Sequence, residues 1–187
     1  MQTQVLRLTG ALALSIVGIL AARPSKNDQP IAPLATSSVA GGEGVIDVLT
    51  VIHQGVVDYS QLGVDHGTDP TVKEFAQMMV KDHGALLKSV QALATKLNVT
   101  PPMSDKAADL NKEFKKDIED LKPKKNGRDL DKEFMDEQID LHQETIGALK
   151  ELDETTKDAD LKGAITEALT KMQAHLDRAK LVRNKFG

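Results

Sequence analysis

Asp69 to Leu97 reads DPTVKEFAQMMVKDHGALLKSVQALATKL. Within it Val72, Ala76, Met79, His83, Leu86, Val90, Leu93 and Leu97 follow one another at gaps of four and three. That alternation lines side chains along one stripe of an α-helix packed against other helices. One member of the stripe is an imidazole, His83, set in an apolar row. Asp69 is an N-cap residue with Pro70 at the first helical position, and Asn98 with Pro101-Pro102 stops the helix near Leu97.

The same alternation returns on both sides. Val45, Leu49, Ile52, Val56, Tyr59 and Gly63 predict a first helix from about Gly44 to the turn Asp65-His66-Gly67-Thr68. Met135, Ile139, His142, Ile146 and Leu149 predict a third long helix from Asp129 to about Thr156. Leu161, Ile165, Ala168, Met172, His175, Ala179, Val182 and Phe186 predict a fourth from about Asp160. Its last turns carry Arg178, Lys180, Arg183 and Lys185, which suit the negative end of the helix dipole. A shorter helix capped by Ser104 presents Ala107, Leu110, Phe114, Ile118 and Leu121.

Four long amphipathic helices predict an all-α four-helix bundle. The short helix spans about 27 Å at 1.5 Å per residue, enough to carry the chain back along the bundle. Helices two and three then run parallel. A short extra helix in that crossover makes the expected architecture ferritin-like.

The front of the chain reads differently. Residues 1–22 hold Arg7 and then fifteen uncharged residues, Leu8 to Ala22. A membrane span needs about 20 apolar residues, so this run suits a signal peptide. An uncleaved N-terminal anchor, and contact with a membrane through it, is the alternative. Residues 23–43, rich in Pro, Ser, Gly and Ala, read as a flexible linker, and residues 44–187 as the domain. The expected location is exported, in the periplasm or cell envelope.

The chain has 187 residues, 28% of them charged, a net charge of −4 and 3% aromatic residues. That acidic balance excludes nucleic acid as the expected partner, because phosphate neutralisation needs clustered Lys and Arg. With no cysteine, disulfides, thiolate metal sites and covalently attached haem are excluded. There is no Gly-rich phosphate loop and no G-x-S-x-G elbow. The basic LKPKKNGR segment reads as a solvated loop.

Three histidines are in phase and at one level. His83 lies thirteen residues from Pro70 and fourteen from Leu97; His142 lies thirteen from Asp129 and fourteen from Thr156; His175 lies fifteen from Asp160 and eleven from Phe186. Their heights agree to within about one helical turn, roughly 5 Å. Neutral imidazoles converging in a dry interior suit a divalent transition metal such as Zn, Fe or Cu. The first helix adds His53, beside its seam, and Asp58 as further candidate ligands, with Tyr59 in the seam itself. Asp82 and Asp140 point off the inward stripe and could reach the site only as outer partners.

The competing reading of the same residues is a hydrogen-bonded network that fixes helix register without metal. His66 reads as solvated, and Met78, Met79 and Met172 as packing residues. Gly55, Gly63, Gly84 and Gly147 give either close helix packing or room for an apolar ligand, and packing is the expectation.

G-V-V-D-Y-S-Q-L-G (Gly55 to Gly63), D-P-T-V-K-E-F-A-Q-M-M-V-K-D-H (Asp69 to His83), His142 and A-H-L-D-R-A (Ala174 to Ala179) carry a resemblance. Over residues 44–186 the chain resembles a family of exported bacterial proteins, often labelled outer-membrane proteins. They are classed as a domain of unknown function with a ferritin-like fold. The resemblance implies an envelope bundle with no established activity. The family typically has glutamate where this chain has Asp58, which weakens any transfer of a carboxylate ligand to that position. Di-iron bundles use Glu-x-x-His pairs, and the residues three before the histidines here are Val80, Ile139 and Met172. Di-iron chemistry is therefore not expected. Two functions stand: a metal-binding bundle using His83, His142 and His175, or a structural or interaction module of the envelope.

Overall fold

The computed structural model describes residues 42–100, 103–121 and 127–187. The expected leader, all of the expected linker but its last two residues, and most of the basic segment fall outside them. The regular elements among the described residues are all helical: α1 (Gly42–His66), α2 (Pro70–Lys96), α3 (Asp105–Leu121), α4 (Arg128–Thr155) and α5 (Ala159–Arg183), then a 3-10 turn (Asn184–Phe186). They contain no strand. The last turn expected of α5 tightens into the 3-10 form, while α1 begins two residues ahead of its expected start.

Helix ends follow the local chemistry. Asp69 accepts the Thr71 backbone N–H at 2.7 Å and the Thr71 hydroxyl at 2.6 Å, with Pro70 in the first turn. Asp158 caps α5 by accepting the Leu161 N–H at 3.0 Å, and Ser104 Oγ accepts the Ala107 N–H at 3.2 Å. At the end of α2, Asn98 turns left-handed at φ 52°. The Val99 N–H reaches the Ala94 carbonyl at 2.9 Å and the Asn98 N–H that of Thr95 at 3.1 Å. That is a Schellman stop, and asparagine tolerates its conformation better than most side chains.

Packing sets the directions. Turns of three residues make α1 antiparallel to α2 and α4 antiparallel to α5. Lys96 pairs with Asp160 while His83 meets His175, so α2 and α5 are antiparallel as well. Gly63 faces the Phe134 ring and Ser60 faces Gln138, so α4 also opposes α1. It follows that α2 and α4 run the same way, as the sequence predicts. The return leg is α3, which lies on α1 in the same direction: the Ser104 N–H is bound by Asp47 at its start, and Phe114 fits against Gly55 further on.

This arrangement explains an excess of apolar residues on α1. Beyond the expected seam, Ile46 and Val48 are buried, because α1 is covered by α3 as well as by α2 and α4. Two apolar clusters form. One joins the C-terminal half of α1 to Phe75, Met79, Phe134, Met135 and Phe186. The other joins its N-terminal half to Val90, Leu149, Ile165 and Met172. Between them every long helix contributes a histidine.

Carboxylates lock the two ends. Asp131, fully buried at the start of α4, accepts the Thr68 N–H at 2.9 Å, the Thr68 hydroxyl at 2.5 Å and the Asp69 N–H at 2.8 Å. Asp47 holds the Ser104 N–H at 2.5 Å at the other end. Arg183 makes a two-point contact with Asp136, and Arg128 donates to the Phe186 carbonyl at 3.0 Å.

Candidate metal centre

His53 comes from α1, His83 from α2, His142 from α4 and His175 from α5, and all four are buried, none more than 3% exposed. His83, His142 and His175 each replace an apolar residue on the inward stripe of their helix, and His53 sits beside the stripe of α1 next to Ile52, so the register that buries the core also brings the rings together. Neighbouring ring centroids lie 5.1 to 5.8 Å apart.

Partner chemistry fixes the protons. Asp82 Oδ2 lies 3.1 Å from His175 Nε2, and a carboxylate oxygen accepts, so that nitrogen carries the hydrogen. In the neutral ring His175 Nδ1 is then a lone pair and accepts from His83 Nε2 at 3.2 Å. His83 Nδ1, bare in turn, accepts from His53 Nδ1 at 3.3 Å. The chain of donors thus runs from His53 through His83 and His175 to Asp82. His142 stands apart from it. Its Nδ1 donates to the Gln138 carbonyl at 2.7 Å, and its Nε2 lone pair is buried with no partner among the described residues.

Burial keeps the rings neutral. It lowers His53 and His142 to about 4, with the nearby His175 adding a smaller push on each. The carbonyl of Gln138 partly opposes the shift at His142. His83 lies well below the ordinary histidine value, first through burial and then through its three histidine neighbours. His175 is also lowered by burial, against the upward pull of Asp82. Lone pairs are therefore available over the whole neutral range.

One ring nitrogen from each of His83, His142 and His175 lies within 4.8 Å of the other two. Three such atoms share a point no more than about 2.8 Å from each, against metal–nitrogen bonds near 2.0–2.1 Å. A contraction of less than about 1 Å would bring them to coordination distance.

Not every candidate joins this set. His53 enters the layer, but it faces the outer edge of His83 and is not one of the three converging rings. Asp58 is exposed and accepts from Gln54 Nε2 at 2.8 Å. The reason is angular: two residues past Val56 at 100° per residue turns a side chain to the far face. Asp82 does reach the site, as an outer partner of His175. Tyr59 stacks on Phe134, centroids 5.5 Å apart, in the apolar cluster beside the layer.

Two residues were not anticipated. Gln138 is fully buried, donates to Ser60 Oγ at 3.0 Å and leaves its Oε1 without a partner among the described residues. Gln138 lies four residues before His142, on the same face. That spacing was the available signal, but the apolar Ile139 next to it took the seam position. Of the four glycines expected to allow close packing, Gly55 and Gly63 face the Phe114 and Phe134 rings, whereas Gly84 and Gly147 face open space. The expected close packing is therefore found at Gly55 and Gly63 and not at Gly84 or Gly147, whose absent side chains would meet nothing within 4 Å among the described residues.

A family model described as Domain of unknown function (DUF4142) matches residues 31–182. No curated protein and no solved structure matches the chain.

Proposed function

We propose, from the premise that this chain belongs to the family Domain of unknown function (DUF4142), that it is an exported metal-binding domain of the cell envelope. In this reading the helices form a ferritin-like four-helix bundle, with α3 as the extra helix of the crossover. His83, His142 and His175 hold a transition metal at its mid-height.

The observation that carries this is the outer edge of each ring. In metal sites a ligating imidazole almost always donates its second N–H to a fixed acceptor. His142 Nδ1 has the Gln138 carbonyl, His175 Nε2 has Asp82, and His83 Nδ1 faces His53 Nδ1. All three outer positions are occupied, and His142 Nε2 already has a lone pair free.

Taking up an ion asks one change of the protein: His83 must present Nε2 bare. Its proton passes to Nδ1, where His53 accepts it after moving its own hydrogen to Nε2. Two tautomers exchange and no proton leaves the chain of rings. The 3.2 Å between His83 Nε2 and His175 Nδ1 is close to the roughly 3.4 Å between two nitrogens on one tetrahedral metal.

Full chain purified without chelator should carry close to one equivalent of transition metal, and His142→Gln should remove it. Metal-free protein whose melting temperature is unmoved by Zn, Fe or Cu would overturn the reading. The 3.2 and 3.3 Å contacts between the rings favour a second reading, a metal-free network that fixes helix register. It would be supported by that same result together with a large loss of stability in His83→Gln.

A further inference from the structure

We infer that the ion this cluster selects is monovalent copper, held by the three imidazole nitrogens of His83, His142 and His175 alone. The inference rests on the three-histidine reading above and adds the identity of the ion.

Charge is the first ground. Three neutral imidazoles neutralise nothing, so the ion keeps its full charge between two apolar clusters. The cost of taking an ion out of water grows with the square of its charge, about fourfold from a monovalent to a divalent ion. The carboxylate that touches the rings is Asp82, and it reaches them through the outer N–H of His175. The buried carboxylates Asp47 and Asp131 are spent on backbone N–H groups at the ends of the helices. That anion also lies 3.8 Å from Lys171 Nζ, so it offsets even one positive charge only in part, and two still less.

Ligand number is the second. Zinc with three protein ligands keeps a fourth position for water, cupric copper prefers a tetragonal set, and non-haem Fe(II) takes a carboxylate beside two histidines. Here three rings converge, all of them 3% exposed or less, and no carboxylate lies among them. A three-coordinate ion needs nothing more.

Softness is the third. Met79 lies four residues before His83 and Met172 three before His175, each on the face its histidine occupies. Both are fully buried, Met79 in one apolar cluster and Met172 in the other. Polarizable thioethers therefore flank the layer on both sides and keep its surroundings soft and apolar, while the ligands themselves are imidazoles, which suit copper as well as zinc.

The test is a pair of competition titrations on the chelator-stripped full chain under anaerobic conditions. One uses Cu(I) buffered by a chromophoric cuprous chelator, the other Zn(II) buffered by a zinc indicator. The expected result is one equivalent of Cu(I) bound at least about tenfold more tightly than Zn(II), a difference of about 1.4 kcal/mol, with Cu(I) binding lost in His142→Gln. Zn(II) binding as tight as Cu(I), or tighter, overturns the copper assignment and leaves the three-histidine site standing. Binding of neither ion overturns both. Cu(I) binding that survives unchanged in a folded His142→Gln variant, checked by its helical circular dichroism, also overturns the assignment.

Discussion

The His142 imidazole gives its Nδ1 proton to the carbonyl of Gln138, one turn earlier on α4, at 2.7 Å. The carbonyl can only accept, so the tautomer is settled and Nε2 is left as a lone pair inside the protein. A buried acceptor without a partner costs about 1–3 kcal/mol. The helix therefore holds the ring in one orientation at an energetic cost, which a bound ion would recover.

Acid should unfold this protein early. Burial holds His53 and His142 at about 4, below the 6.5 of a free histidine. Between those values the unfolded chain binds protons that the folded one refuses. Stability is therefore complete above pH 6.5 and declines as the pH falls toward 4. These two rings alone give a slope of about 2.7 kcal/mol per pH unit. Urea melts across that window measure it, and His53→Gln with His142→Gln should flatten it.

Asp82→Asn keeps an acceptor for His175 Nε2 but removes the charge. Metal affinity should fall about 10- to 100-fold, while the metal-free melting temperature changes little. Chelator competition and a thermal melt, run on the same preparation, separate the two effects. A large loss of metal-free stability would make Asp82 structural instead.

Asp131→Ala should cost about 3 kcal/mol, because it frees the Thr68 and Asp69 N–H groups where α1 turns into α2. Asp131→Asn should retain part of that. The midpoint of chemical denaturation is the readout, and metal affinity should be unmoved, since the carboxylate lies a full apolar cluster away from the rings.

Two glycines should respond with opposite signs. A methyl group at Gly55 would overlap the Phe114 ring, so Gly55→Ala should destabilise by about 1–3 kcal/mol. Gly147, exposed on α4 with nothing near its absent Cβ, should gain about 0.5–1 kcal/mol as alanine. Thermal melts of the two variants decide both.

The stripe that begins at Val72 was legible because burial of one helix face imposes a period, and a period survives in a single sequence. It placed His83, His142 and His175 inward and level, and it gave the parallel relation of α2 and α4 through the short α3. Gln138 and Ser60 were not legible, since a polar residue beside a seam looks the same whether it faces a partner helix or water. Asp58 shows the converse: a carboxylate near the middle of α1 proves to be on its exposed face, because the angle around the helix decides which way it points.

Among the described residues, the amino-acid order alone therefore determined where the helices form, which face of each is apolar, and that His83, His142 and His175 are turned inward. Only the tertiary structure decided that His53 stands behind His83, that Asp82 closes the line through His175, and that His142 keeps a nitrogen bare. Periodicity acts within one helix, whereas hydrogen-bond partners are chosen across helices, by rotations and spacings that no single helix encodes.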